Sequence, residues 1–210
     1  MQIAVFGATG RVGSQILAQA VEASMTVRAF VRPASAASLS AGVEVVRAEL
    51  TDDEAIARCV EGVDAVLSAL GPRSNTADQP PLFASAVERI TARMSDAGVR
   101  RFVAISGAGT LLEDERPDFG RRVVRGVMKV VARHVLECKR READVILATE
   151  LDWVIVRPPR IVDGAPTGRS QPSLDRPRST KVTTGDVAEF MLRCAREDEW
   201  VREAPFIAGP

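Results

Sequence analysis

Ile3-Ala4-Val5-Phe6-Gly7-Ala8-Thr9-Gly10-Arg11-Val12-Gly13 runs straight into Ser14-Gln15-Ile16-Leu17-Ala18-Gln19-Ala20. An apolar run, a glycine-rich stretch and an amphipathic stretch, in that order, predict a strand, a tight turn and a helix. Glycines at this spacing let the backbone turn sharply, approach a pyrophosphate closely and seat the helix against the strand. The free N–H groups at the helix start then face the anion. With a strand before it and a helix after it, the pattern points to a dinucleotide site; the alternative is a structural turn with no ligand.

The alternation continues down the chain. Thr26 to Val31 and Val43 to Arg47 read as the second and third strands. Thr51 or Asp52 can cap a helix over Asp53 to Val60, which Gly62 ends before a fourth strand, Ala65 to Ala69. A helix over Leu82 to Ala97 stops at Gly98 and precedes a fifth strand, Arg101 to Ser106. A long helical region from about Arg121 to Thr149, broken near Gly126, leads to a sixth strand, Trp153 to Arg157, ended by Pro158-Pro159. Gly164 to Arg178 reads as a loop over a pocket. Thr184-Gly185-Asp186 is expected to cap a last helix through Ala195, and Pro205-Phe206-Ile207 to add an edge strand. Strands alternating with helices behind a glycine turn predict an α/β fold, a doubly wound parallel sheet of the Rossmann type. It is expected to form one domain over residues 1–210, with a substrate-covering loop at about 162–181.

Composition narrows the function. The 210 residues are 46% hydrophobic and 27% charged, and formal net charge is zero, so nothing in the whole-chain charge favours nucleic acid or an anionic membrane. Cys59, Cys138 and Cys194 are far apart, without metal-ligand spacing, and read as reduced core residues. No apolar run approaches the ~20 residues that span a bilayer, so a cytoplasmic protein, a monomer or small homo-oligomer, is expected. The chain has no tyrosine. This removes the mechanism in which a lysine-activated tyrosine protonates a substrate oxygen.

Ligands in such sheets sit beyond the carboxyl ends of the strands, and that rule selects candidates. At the end of the second strand, where NAD-preferring sites carry an acid, the sequence reads Phe30-Val31-Arg32-Pro33. Arg32 offers a planar fork suited to a 2′-phosphate, which favours NADPH over NADH; the plain alternative is a solvated arginine. Glu49 ends the third strand and can accept from an adenine amino group or be a surface carboxylate. Ala69-Leu70-Gly71 would bring backbone close to the adenosine. Ser106, at the mouth of the fifth strand, can orient a substrate or cap a turn. His134, the one histidine, has no partners that make a triad or metal site, and Arg122, Arg125, Lys129, Arg133 and Arg140 form the polar stripe of an amphipathic helix.

These segments resemble the atypical short-chain dehydrogenases with an NmrA-like nucleotide domain, most closely their flavin reductase and biliverdin-IXβ reductase branch. The likeness rests on Phe6-Gly7-Ala8-Thr9-Gly10, Val31-Arg32, Asp64-Ala65-Val66, Leu70-Gly71 and Gly98-Val99. It continues through Leu151-Asp152-Trp153, Arg157-Pro158-Pro159-Arg160-Ile161, Pro166-Thr167-Gly168, Asp186-Val187 and Phe190-Met191-Leu192-Arg193-Cys194. The resemblance implies that Gly7, Thr9, Gly10, Arg11 and Val12 hold the pyrophosphate, Arg32 the 2′-phosphate and Glu49-Leu50 the adenine. It implies Pro158 and Pro159 beside the nicotinamide, with Arg160 where the biliverdin-reducing member has histidine. Glu49 replaces the usual aspartate, and Ser106-Gly107 keeps one of two expected hydroxyls. Lys139 falls where tyrosine-using relatives keep their lysine, while Val135 occupies the tyrosine position, so the lysine is a relic or a salt-bridge partner unless it is catalytic.

An oxidised flavin or linear tetrapyrrole accepts hydride directly and takes its proton from water, whereas a simple ketone needs an acid at the developing alkoxide. The expectation is therefore an NADPH-dependent reductase of a flavin, quinone or similar conjugated acceptor, with Ser106 and Lys139 as candidate catalytic residues. A non-catalytic NADP(H) sensor is the alternative of a different class, and a sugar-nucleotide epimerase or dehydratase a further one.

Overall fold

The computed structural model describes residues 1–35, 39, 42–72, 74–112, 115, 122, 126 and 130–209. Its centre is a six-stranded parallel sheet, β1 (Gln2–Phe6), β2 (Thr26–Val31), β3 (Val43–Arg47), β4 (Ala65–Ser68), β5 (Arg101–Ile105) and β6 (Asp152–Val156), in the order β3-β2-β1-β4-β5-β6. The chain winds outward from β1 through β2 to β3, then crosses back to β4. The crevice between the ends of β1 and β4 is therefore the switch point where such sheets bind ligands.

Both faces of the sheet are covered, which explains why its strands are apolar runs rather than alternating ones. Helices α1 (Arg11–Glu22) and α5 (Thr184–Arg196) bury Ile16, Leu17, Val187 and Met191 against Ile3, Val5, Leu67 and Val154. On the other face α2 (Asp53–Val60), α3 (Gln79–Asp96) and α4 (Arg133–Leu147) cover Ala4, Phe6, Val66, Phe102 and Ile155. Four short strands extend the β6 end: β7 (Arg160–Val162) pairs parallel with β9 (Lys181–Thr183), and β8 (Gln171–Ser173) pairs antiparallel with β10 (Phe206–Ala208).

Several sequence expectations shift. Helix α3 starts at Gln79, not Leu82, because Pro80 lies in its first turn, where a missing N–H costs nothing. The N-cap of α5 is Thr183, whose hydroxyl accepts from the Asp186 N–H, one residue before the expected Thr184. The stretch from Gly164 to Arg178 is not loop throughout: backbone bonds to β10 make residues 171–173 a strand. The expected helix from Arg121 is described continuously only from Arg133; Arg125 and Lys129 lie outside the described residues. Asp52 caps α2 as expected, its carboxylate accepting from the Ala55 N–H at 2.9 Å. Among the described residues, no helix is long and apolar enough to cross a membrane.

Candidate functional site

The glycine turn fits a dinucleotide by its own geometry. Gly7 has φ +77°, and a Cβ there would lie 2.6 Å from the Ala69 carbonyl carbon and oxygen. A Cβ on Gly13 would lie 2.1 Å from the Gly7 carbonyl oxygen. Only glycine allows β1, β4 and α1 to converge this closely. Gly10 is the N-cap and offers no side-chain acceptor, and no acid stands in the first turn. The first N–H groups of α1 are thus left for an anion, with the positive end of the helix dipole behind them.

The other cofactor candidates lie around this turn. Ala69 donates its N–H to the Phe6 carbonyl at 2.8 Å, holding the Ala69-Leu70-Gly71 backbone against Gly7. Arg32 and Glu49 follow neighbouring strands, joined by the Ala48 N–H to Val31 carbonyl bond at 3.1 Å. Arg32 is half-buried and Glu49 exposed, and neither side chain has a hydrogen-bond or ion-pair partner among the described residues. Leu50 is half-buried beside them. Arg11 points across the cleft: its Nε donates to Asp163 Oδ1 at 2.7 Å, tying the glycine turn to the segment after β7.

Ser106 and Pro158, far apart in sequence, are brought together. Ser106 N–H donates to the Val156 carbonyl, and Ala108 N–H to the Pro158 carbonyl, both at 2.8 Å. Ser106 Oγ donates to the buried Thr110 Oγ1 at 3.0 Å, which places a second hydroxyl beside it. Sequence reasoning missed Thr110, although its spacing from Ser106 across Gly107 and Gly109 was a usable signal. Pro159 is half-buried next in line, while Arg160 is exposed on β7 opposite Lys181.

Lys139 is 9% exposed and reaches under this floor from α4. Its Nζ donates to the Leu70 carbonyl at 2.6 Å, to the Ile105 carbonyl at 3.1 Å and to Glu142 Oε2 at 2.9 Å. Three donors meet three acceptors, so the ammonium links the ends of β4 and β5. Glu142, also buried, takes a further bond from Cys138 Sγ at 3.0 Å. Sequence reasoning missed Glu142; a carboxylate three residues after a lysine on one helix was its signal. Asn75 was missed too: its Oδ1 accepts from the His134 N–H at 2.9 Å and its amide donates to the Val131 carbonyl, holding the start of α4.

Burial pushes the Cys59 and Cys194 thiols up to about 12, and that of Cys138 upward as well, so these are protonated core residues rather than nucleophiles. Among the described residues, no group of three His, Cys, Asp or Glu side chains is placed to hold a metal ion.

A family model described as NAD(P)H-binding matches residues 7–198. A (4-alkanoyl-5-oxo-2,5-dihydrofuran-3-yl)methyl phosphate reductase of Streptomyces griseus is 28% identical over 156 residues, 74% of this chain and 46% of that protein. The chain spans about half the length of the curated relatives it matches. Among solved structures, ChuY, an anaerobillin reductase of Escherichia coli, superposes with a TM-score of 0.80 at 22% identity, covering 100% of this chain and 98% of that one. A short-chain dehydrogenase/reductase of Veillonella parvula in complex with NADP gives 0.79 at 15% identity, covering 100% and 94%. At these identities the two structures share the fold.

Proposed function

The chain belongs to the NAD(P)H-binding family, and on that premise we propose that it is an NADPH-dependent reductase passing hydride to a flavin, a quinone or a similar conjugated acceptor. The observation that carries this reading is Lys139, whose three donors are all engaged, in a chain without tyrosine. A ketone reductase needs an acid within reach of the developing alkoxide, and this lysine neither activates a tyrosine nor has a donor to spare. A conjugated acceptor spreads the incoming charge and takes its proton from water, which leaves the protein the task of alignment. The substrate named for the Streptomyces relative, a dihydrofuran carrying oxo and alkanoyl groups, is of this conjugated kind.

Bound NADPH supplies the hydride. In this reading the Gly7 to Val12 backbone and the start of α1 hold its diphosphate, and Arg32 forks onto the 2′-phosphate. Glu49 and Leu50 border the adenine, and Ala69 to Gly71 the adenosine. Pro158 and Pro159 flank the nicotinamide, and the Ser106–Thr110 pair orients the acceptor. Lys139 is a positioning residue, fixing the spacing between the adenosine and nicotinamide halves of the cleft.

The test is loss of NADPH absorbance with FMN, riboflavin and a simple quinone offered separately, beside binding titrations of NADPH and NADH. Turnover with NADPH preferred is expected. Tight NADPH binding with no turnover of any acceptor would replace the reductase by a nucleotide sensor.

A further inference from the structure

The segment that follows β6 is out of electrical balance with the rest of the chain. Total formal charge is zero, yet residues 160–181 contain five cations, Arg160, Arg169, Arg176, Arg178 and Lys181, and only two acids, Asp163 and Asp175. Asp163 is engaged by Arg11 at 2.7 Å, and Asp175 lies 3.9 Å from Arg176. Arg160, Arg169, Arg178 and Lys181 have no carboxylate partner among the described residues. Arg160 and Lys181 are register partners in the β7–β9 pair, so two exposed like charges stand side by side, an arrangement that costs stability.

Ser173, Asp175, Arg176, Pro177 and Arg178 line an open surface cleft of about 690 Å³. Helix or sheet packing does not engage Arg176, whose side chain is 71% exposed. The segment leaves β6 through Pro158 and Pro159, which the reading above sets beside the nicotinamide, and its base is tied to the glycine turn through Asp163 and Arg11.

We infer that this cleft is an anion subsite for the acceptor, taking a phosphate, carboxylate or sulfonate carried away from the reducible ring. Its assignment to the acceptor rests on the reductase reading above. Guanidinium forks on Arg176 and Arg178 match an oxyanion in a bidentate manner, and their exposure makes the attraction sensitive to salt.

FMN and riboflavin share one electron-accepting ring and differ by a phosphate, so the pair isolates the claim. Quenching of flavin fluorescence measures each affinity on the NADP⁺-loaded protein, at low and high ionic strength. At low salt FMN is expected to bind about tenfold more tightly than riboflavin, with the gap shrinking in high salt. The double variant Arg176→Gln, Arg178→Gln is expected to bring the two within about twofold, through loss of FMN affinity. Equal binding of the two by the native protein, no binding of either, or a gap that persists in the variant would overturn the subsite. A variant that loses NADPH affinity instead would assign the arginines to the cofactor and overturn it too. NADPH consumption with the same flavins, and with a naphthoquinone and its sulfonate, is read separately. Binding preference without turnover of any of the four refutes the reductase and keeps the anion site; turnover without preference does the reverse.

Discussion

Replacing Lys139 with methionine keeps the length of the side chain and its apolar stem while deleting the ammonium. In the native protein that ammonium satisfies the Leu70 and Ile105 carbonyls and Glu142, at 2.6, 3.1 and 2.9 Å. Lys139 and Glu142 are 9% and 4% exposed, so water is poorly placed to substitute. Breaking a buried ion pair by removing one partner costs about 3–5 kcal/mol, most of it from the charge left behind. The orphaned carbonyls push toward the upper half of that range, and we expect a loss of about 4 kcal/mol. For a chain of this size each kcal/mol lowers Tm by roughly 2–4 °C, giving a fall of about 8–16 °C. Urea denaturation followed by the fluorescence of Trp153 and Trp200 measures the free energy directly. The double variant Lys139→Met, Glu142→Leu removes both charges and is expected to recover at least half of the loss, about 2 kcal/mol. A single variant that costs less than about 1 kcal/mol would refute the reasoning, because no buried pair would then have been broken. So would a double variant as unstable as the single one.

Three further outcomes are expected. Arg32→Ala should weaken NADPH by about 1.5–2 kcal/mol, roughly 10- to 30-fold, the size of a charge-assisted bond at a half-exposed site. NADH titrated in parallel should hardly change, and equal losses for both cofactors would sink the 2′-phosphate assignment. Gly13→Ala puts a methyl group 2.1 Å from the Gly7 carbonyl oxygen, a backbone contact that yields only if the turn opens. Its NADPH affinity should fall at least about tenfold, and unchanged binding by calorimetry would disprove the close-approach account. Because burial raises the Cys59 and Cys194 thiols to about 12, the native protein at about pH 8 should resist a thiol-specific disulfide reagent, and unfolding should release all three cysteines. Rapid modification of any thiol in the native state would contradict the buried assignment.

The sheet was legible because its physics is local. Val27 and Val31 or Ala4 and Phe6 announce themselves as strand positions by composition alone, since helices cover both faces. Gly7 and Gly13 sit at a spacing that few other structures require. The grouping of candidate residues around the glycine turn was legible for the same reason, as they lie at strand ends. The polar contacts between distant segments were not. The Arg157 to Glu115 ion pair at 2.6 Å joins residues 42 positions apart, and Asn75 caps a helix that begins 58 residues later. No periodicity records such partners, because each depends on where two separate segments come to lie. Lys139 shows the limit best: the sequence left it a candidate catalytic group, a relic or a salt-bridge partner, and the bonds it makes to carbonyls at the ends of two different strands could not be read there.

The late segment is fastened at its base and free at its tip. Gly164 is bonded to Thr184 and Gly185, and Thr167 donates twice to the wholly buried Asp186. Residues 171–173 are then fixed by the antiparallel pairing with β10. Between that strand and β9, Leu174, Asp175, Arg176 and Arg178 are exposed and outside any strand or helix. Changes in these few positions touch neither the glycine turn nor the core. On the reductase reading, a lineage carrying this fold can exchange one acceptor for another by rewriting the tip, with the hydride-delivering part of the molecule inherited intact.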